Sequence, residues 1–136
     1  MPAKPPDNSE RVLIVEDDDD VRGFVVAVLS RQGYRTVQSS SGIDAAVHMQ
    51  PGQPKIDVLV TDVSLLDTDG VALAEHFAEL FPEAGVVIMS GHAGIPRSRL
   101  EKLAVPWAFV EKPFHLQRMI DAVRSVLDEA AGVRAA

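Results

Sequence analysis

Acidic side chains are concentrated in two short windows of the chain, where they could hold a metal ion. Residues 16–20, Glu-Asp-Asp-Asp-Asp, form the first window, and Asp62, Asp67 and Asp69 form the second. The net charge of the chain is −7, and without these eight acids the rest of it would be nearly neutral. Carboxylates that lie close together repel one another unless a positive group is near. The acidity therefore indicates a local site for a cation.

A hydroxyl and an ammonium group follow two other apolar runs, at Ser90 and Lys112. A lysine can pair with a carboxylate at rest and with a phosphoryl oxygen when one arrives, and a serine can donate a hydrogen bond to the same oxygen. The four His share no metal-ligand spacing, and an all-oxygen, carboxylate-rich site suits Mg²⁺. With a carboxylate as the nucleophile, these groups would support phosphoryl transfer to an aspartate.

Five β-type runs alternate with amphipathic stretches, which is typical of an α/β domain with a parallel sheet. The predicted strands are residues 11–15, 35–38, 57–61, 86–89 and 108–110. Four of these runs are almost entirely apolar, as expected of parallel strands that are covered on both faces. Residues 35–38 instead alternate between polar and apolar, which predicts an edge strand.

Apolar residues at helical spacing predict a helix after each strand. These helices include residues 21–29, which Gly33 would end, a shorter helix from residue 43 to the Pro51-Gly52 break, and then 73–81, 97–103 and 116–127. The acids at 18–20 are interpreted as cap residues at the start of the first helix. The predicted organisation is a flexible extension over residues 1–10, one domain over 11–127, and a tail or the start of a linker over 128–136.

The topology predicts where the polar groups meet. Ligands of an open parallel sheet bind outside the carboxyl ends of the strands, near the point where the strand order reverses. Glu16 and Asp17 follow the first predicted strand, Asp62 the third, Ser90 the fourth and Lys112 the fifth. All five are therefore expected in one crevice.

Four segments of the chain resemble the signature segments of response-regulator receiver domains of two-component signalling, in order and at the usual spacing. They are VLIVEDDDDVR, DVLVTDVSLLDTDG, VVIMSG and FVEKPF. The resemblance covers residues 11–127 and depends on motifs at four different strand ends. It implies a three-layer, doubly wound, flavodoxin-like fold in which five helices surround a five-stranded parallel sheet of order 2-1-3-4-5.

The resemblance also implies a ligand set. Asp62 would accept the phosphoryl group, and Mg²⁺, for which Mn²⁺ can substitute, would be the cofactor. Asp17 and Asp62 would bind the ion directly, Glu16 would bind it through water, and the backbone carbonyl of Ser64 would complete the protein ligands.

Two further groups of residues receive roles from the same resemblance. Ser90 and Lys112 would hold the phosphoryl oxygens, and a cis peptide bond is implied between Lys112 and Pro113. Ser90 and Phe109 occupy the positions of the switch pair, in which the serine moves toward the new oxygens and the aromatic ring follows inward. Ser64 and His92, each two residues after a site residue, are predicted to set how fast the acyl phosphate hydrolyses.

As in the family it resembles, the domain would take its phosphoryl group from a histidine kinase or a phosphotransfer protein. It would catalyse its own phosphorylation and slow dephosphorylation, and is not predicted to be an enzyme for other substrates. Phosphorylation would bias the face of the fourth helix, fifth strand and fifth helix toward a partner or toward homodimer formation. The chain departs from the usual family pattern at Leu65-Leu66, in place of Met-Pro, at Gly91, in place of Ala, and at Phe109, in place of Tyr.

Two alternatives compete with this interpretation. The segment LLDTDG resembles the DxD motif of haloacid-dehalogenase-type phosphatases, with Asp67 as nucleophile and Asp69 as acid. That motif should directly follow the first strand, so its position here disfavours it, and the two acids are interpreted as turn formers before Gly70. The second alternative is a pseudo-receiver, a binding module that keeps the fold but never accepts a phosphoryl group.

Composition and charge exclude several other classes of protein. A chain of 136 residues supports one domain, and the absence of Cys rules out thiolate chemistry and Cys-ligated metals. The acidic balance disfavours direct nucleic-acid binding, which normally uses a basic surface. The longest apolar stretch, residues 24–29, is too short to span a membrane, and residues 1–10 lack the apolar segment of a secretory signal. A cytoplasmic domain is expected, either alone or as part of a longer regulator.

Overall fold

A computed structural model, which describes residues 10–91 and 97–135, forms a five-stranded parallel sheet. Its strands are β1 (Arg11–Val15), β2 (Arg35–Ser39), β3 (Val58–Asp62), β4 (Gly85–Ser90) and β5 (Trp107–Glu111). Their order across the sheet is β2-β1-β3-β4-β5, so the order reverses between β1 and β3. The predicted fold class and strand order are confirmed.

Helices cover both faces of the sheet, which gives the three predicted layers. They are α1 (Asp19–Arg31), α2 (Gly42–His48), α3 (Gly70–Leu80), α4 (Arg97–Leu100) and α5 (Leu116–Ala135). The apolar sides of α1 and α5 share one core, and those of α2, α3 and α4 share the other. Within the described ranges, none of these helices is both long and apolar enough to cross a bilayer.

Strand β1 belongs to both cores, because successive side chains of a strand point to opposite faces. Leu13 and Val15 pack on the side of α2 and α3, whereas Val12 and Ile14 pack on the side of α1 and α5. All four side chains are fully buried. Burial contributes roughly 1.5–3 kcal/mol for each such side chain. The strand ends that carry the site are therefore anchored in two packed cores.

The start and end of α1 follow the sequence prediction. The carboxylate of Asp18 accepts hydrogen bonds from the amides of Asp20, at 2.9 Å, and Val21, at 3.1 Å, so it caps the helix. Asp19 and Asp20 lie in the first turn, where their negative charges interact favourably with the helix dipole. Gly33 has a φ of 95°, a left-handed conformation that glycine adopts readily, and the chain leaves the helix there.

The ends of α4 and α5 differ most from the predicted helix ends. Helix α4 ends at Leu100; of the residues 101–103, which were predicted to be helical, the first two form a turn and the third has no regular structure. Helix α5 continues to Ala135, past the predicted end of the helix at Leu127. The buried face of α5 also extends past Leu127, to Ala130, whose side chain is 3% exposed.

Candidate functional site

The carboxyl edge of the sheet carries the residues that the sequence predicted to meet. Glu16 and Asp17 follow β1 directly, and Lys112 follows β5. Asp62 and Ser90 differ slightly from the prediction, because they are the last residues of β3 and β4 and do not follow those strands. Both are paired in the sheet, Asp62 with Met89 and Ser90 with Glu111, which fixes their backbones.

Three carboxylates form the centre of the site. One oxygen from each of Glu16, Asp17 and Asp62 lies within 4.8 Å of the other two. Glu16 is fully buried, whereas Asp17 and Asp62 are half-buried and reach the surface. The side chain of Asp62 is 14% exposed. A group that arrives from solvent therefore meets Asp17 and Asp62, with Glu16 behind them.

Lys112 supplies the positive charge of this cluster. Its Nζ donates to Oε1 of Glu16 and lies 3.4 Å from Oδ2 of Asp62. The lysine side chain is 21% exposed, so these ion pairs are more strongly screened than fully buried ones. One ammonium group thus contacts carboxylates from two different strand ends.

The environment shifts the pKa values of Glu16 and Lys112. Burial raises the pKa of Glu16, and a hydrogen bond with Asp17 and the charge of Asp62 act in the same direction. The hydrogen bond from Lys112 opposes this rise without cancelling it. Burial alone would lower the pKa of Lys112, but its hydrogen bond with Glu16 and the charges of Glu16 and Asp62 outweigh that effect and raise it. Lys112 therefore remains charged at neutral pH.

The donor atoms of the cluster fit a hard divalent cation. Carboxylate oxygens are the ligands that Mg²⁺ prefers, and opposite ligands of an octahedral Mg²⁺ are about 4 Å apart. The three oxygens lie within 4.8 Å of one another, which is close enough for a single ion to lie among them. The residues present therefore suit Mg²⁺ better than a soft or nitrogen-seeking metal.

Ser64 lies in the loop after Asp62 and pairs with Asp69 in an isolated β-bridge. Two backbone hydrogen bonds flank it, from the amide of Gly70 to the carbonyl of Val63 at 2.8 Å and from the amide of Leu65 to the carbonyl of Thr68 at 3.1 Å. These bonds hold the backbone of Ser64 in place two residues after Asp62, while its side chain is exposed.

Ser90 and Lys112 are joined through the backbone. The amide of Lys112 donates to the carbonyl of Ser90 at 2.7 Å, and the serine side chain is buried. The peptide bond between Lys112 and Pro113 is cis, as the family resemblance implied. These contacts fix the start of the loop after β5 beside the end of β4.

Asp67 has a role that sequence reasoning missed. Its two carboxylate oxygens accept hydrogen bonds from the amides of Gly42 and Ile43, each at 2.9 Å, at the start of α2. These two bonds lower the pKa of Asp67. Its partners are more than twenty residues away in the chain, so no local pattern predicts the contact. With both oxygens bound to amides, Asp67 does not have the environment of the phosphatase nucleophile considered above.

Asp69 was interpreted as a turn former, and it is also the N-cap of α3, accepting from the amide of Val71 at 2.8 Å. Burial alone would raise its pKa, but hydrogen bonds from Arg99 and from Val71 outweigh that effect and lower it. Arg99 in α4 contacts Asp69 and also donates to Glu75 of α3 at 2.8 Å. The Asp69-Gly70 pair before an apolar helical pattern is a signal from which the cap could have been predicted.

The other predicted residues lie at the edges of the site or beyond the described part. Phe109 is half-buried in β5 and packs against the core that contains Leu100 and Val105. Its carbonyl accepts a hydrogen bond from Arg118 at 2.6 Å. His92 lies outside the residues that the structure describes.

A comparison with protein families gives one match over most of the chain. The family model described as the response regulator receiver domain matches residues 12–124. Because this match covers well over half of the chain and includes all the strands, it agrees with the fold and with the position of the acidic cluster.

Individual proteins give the same result. The chain is 27% identical over 118 residues to the response regulator receiver protein CpdR of Brucella abortus (strain 2308), which covers 87% of this chain and 97% of that protein. It is 30% identical over 121 residues to the sensor kinase CckA of the same organism, covering 89% of this chain but 13% of the kinase. A CheY-like receiver domain protein from Methanospirillum hungatei JF-1 has a TM-score of 0.80 at 22% identity, covering 90% of this chain and 97% of that one, which supports the fold.

Proposed function

Because the chain belongs to the response regulator receiver domain family of two-component signalling, we propose that Asp62 accepts a phosphoryl group in a Mg²⁺-dependent reaction. The donor would be a histidine kinase or a phosphotransfer protein. The observation that supports this proposal is the cluster of Glu16, Asp17 and Asp62, whose oxygens lie within 4.8 Å of one another beside Lys112. Asp62 is a partly exposed carboxylate at the end of a central strand, which suits a nucleophile.

The residues around Asp62 divide the remaining tasks. Asp17, Asp62 and the carbonyl of Ser64 would hold Mg²⁺ directly, and Glu16 would hold it through water. When bound, the ion stabilises negative charge on the transferring phosphoryl group and orients it. Lys112, which stays protonated because of its acidic neighbours, would bind a phosphoryl oxygen from the other side.

In the proposed reaction, a carboxylate oxygen of Asp62 forms a bond to phosphorus while the bond between phosphorus and the imidazole nitrogen of the donor breaks. The electron pair of that bond stays on the nitrogen. Lys112 and the hydroxyl of Ser90 stabilise the phosphoryl oxygens during transfer. Water later attacks the phosphorus while the bond between phosphorus and the Asp62 oxygen breaks, which releases inorganic phosphate and leaves the electron pair on the regenerated carboxylate. We propose that Ser64 and His92 set the rate of this slow step.

An apolar cleft beside Lys112 supports the proposed donor. The rings of Phe24 in α1 and Phe114 after β5 lie 6.1 Å apart, and Phe24 is 42% exposed. They line an open cleft of about 500 Å³ together with Val21, Lys112 and Pro113. A helix that presents a phosphohistidine could pack on these rings and place its phosphoryl group next to Lys112 and Asp62.

The proposed output is a change on the face formed by α4, β5 and α5. Ser90 would move toward the phosphoryl oxygens, and Phe109, which packs near Leu100 of α4, would follow. That change would favour binding of a partner or of a second copy of the chain. We propose that this signalling takes place in the cytoplasm.

Intact-mass measurement after incubation with acetyl phosphate or phosphoramidate and Mg²⁺ tests the proposal. A mass increase of one phosphoryl group is expected, and it should be absent with EDTA and absent in Asp62→Asn. Asp44→Asn, which changes an exposed acid on α2, is the matched control and should be phosphorylated like the parent protein. No increase with any donor would contradict the proposal and favour a pseudo-receiver.

A further inference from the structure

Arg22 connects three parts of the structure around the acidic cluster. Its Nη1 donates to the backbone carbonyl of Glu16 at 2.8 Å, and its Nε donates to Oε1 of Gln38 in β2 at 3.1 Å. Its Nη2 donates to Oδ1 of Asp19 in α1 at 2.6 Å. The side chain is 16% exposed, so the guanidinium is held between α1 and the sheet.

The contact with the carbonyl of Glu16 bears directly on Asp17. This carbonyl and the amide of Asp17 belong to the same planar peptide unit, so a bond that holds the carbonyl also fixes the orientation of the next residue. The amide of Glu16 donates to the carbonyl of Ser39 at 3.1 Å. Both backbone groups of Glu16 are thus bound, one by β2 and the other by Arg22.

The three hydrogen bonds are not equivalent. Asp19 has a side chain that is 85% exposed, and exposed ion pairs contribute little to stability. The bond to the Glu16 carbonyl is partly buried and involves a charged donor, which makes it stronger than an ordinary hydrogen bond. Gln38 binds the Nε atom and so orients the guanidinium plane toward that carbonyl.

We infer that Arg22 is a positioning residue, which holds the Glu16–Asp17 peptide in the orientation that divalent-cation binding requires. It contacts neither Asp62 nor the side chain of Lys112 among its hydrogen bonds, so it acts through the backbone of the cluster. The inference rests on the proposed Mg²⁺ site. A lysine cannot replace it, because one ammonium nitrogen cannot reach three acceptors in a fixed plane.

The test compares Mg²⁺ binding by Arg22→Lys and Arg22→Gln with that of the parent protein, using amide chemical shifts during titration with MgCl₂ alone. Loss of a group that orients a metal ligand typically weakens metal binding about 10–100-fold, and a loss of this size is expected for both variants. Without metal, the amide signal of Asp17 should shift and its hydrogen exchange should accelerate. Asp19→Asn, which removes the exposed partner and leaves the carbonyl contact, should bind Mg²⁺ within about twofold of the parent.

A second measurement separates positioning from chemistry. At saturating Mg²⁺, both Arg22 variants should regain most of the parent rate of phosphorylation by acetyl phosphate, because Asp62, Ser90 and Lys112 are unchanged. Parent-like Mg²⁺ affinity in a folded Arg22 variant would overturn the inference, and so would a rate that saturating Mg²⁺ fails to restore. If Arg22→Gln does not fold, Gln38→Ala provides the same test, with a smaller expected loss of affinity. A parent protein that binds Mg²⁺ but is never phosphorylated would refute the proposed function and leave this inference standing.

Discussion

Gly70 approaches the end of β3 so closely that a single added methyl group should disturb the site. It is the first residue of α3, and a Cβ built on it would lie 1.7 Å from the carbonyl oxygen of Asp62 and 2.8 Å from the carbonyl carbon. Real Cβ atoms essentially never approach other heavy atoms within 3.0 Å. In Gly70→Ala, the start of α3 or the end of β3 must therefore move by more than about 1 Å.

This displacement has two expected consequences. Steric overpacking of a buried position typically costs about 1–3 kcal/mol, so the free energy of unfolding should fall by that amount. A shift of about 1 Å in a reacting group can slow a reaction about 100-fold, and Asp62 is the group whose backbone is displaced. Urea unfolding followed by circular dichroism measures the first effect, and intact mass during incubation with acetyl phosphate and Mg²⁺ measures the second.

Gly23 provides the matched control, because it lies inside α1, is exposed, and a Cβ built on it would meet no atom within 4 Å. Gly23→Ala should leave phosphorylation unchanged and stabilise the protein by roughly 0.5–1 kcal/mol, since alanine favours a helix interior. If Gly70→Ala unfolds and reacts like the parent protein, then α3 does not begin against the carbonyl of Asp62 and the reasoning is wrong.

Two further predictions concern charge. Because burial raises the pKa of Glu16, the folded protein without metal keeps a proton on it at a pH where the unfolded chain has lost it. Stability should thus decline as pH rises above about 4.5, the ordinary pKa of this group, until the folded pKa is passed. Glu16→Gln should flatten that decline in urea unfolding without Mg²⁺, and an unchanged slope would contradict it. Arg99→Gln removes contacts with Asp69 and Glu75, whose side chains are 44% and 47% exposed. A loss of about 0.2–1 kcal/mol per pair is expected at low salt, and a loss of equal size in 1 M NaCl would argue against an ionic origin.

The fold and the centre of the site could be predicted because they depend on local patterns. Apolar runs define the strands, and parallel topology then brings together whatever follows those runs, as it does for Asp17, Asp62 and Lys112. The end of α5 was predicted wrongly, because the apolar spacing appeared to stop at Leu127 although Ala130 is also buried. A small side chain carries little hydrophobic signal in a sequence, even when it fills a core position.

Contacts between distant parts of the chain were beyond sequence reasoning. Asp67 accepts hydrogen bonds from the amides at the start of α2, and Arg22 donates one to Gln38. Both contacts depend on how helices and loops pack on the sheet. Charged residues are common in loops and in the first turns of helices. In the sequence alone, Asp67 and Arg22 therefore fit an exposed position in solvent as well as a contact with a distant residue. Only the three-dimensional arrangement distinguishes a residue that orients the site from one that merely faces water.

The acids of the two windows perform two different tasks, and each window contributes to both. This arrangement explains how a site of like charges is held together. Glu16, Asp17 and Asp62 converge on the crevice, whereas Asp18 and Asp69 cap α1 and α3, and Asp67 binds the first amides of α2. The starts of α1, α2 and α3 are thus each fixed by an acid that lies close in sequence to one of the three converging carboxylates.

The charges within the crevice then define what it can bind. With Glu16, Asp17 and Asp62 ionised, three negative charges face the single positive charge of Lys112, which leaves an excess of two negative charges. A divalent cation balances that excess and offsets the negative charge of Asp62, which adds to the effect of burial in raising the pKa of Glu16. Because Asp18, Asp67 and Asp69 are already bound to backbone amides, a bound cation would act on the three converging carboxylates. Its effect on stability should disappear when any one of those three is replaced by its amide.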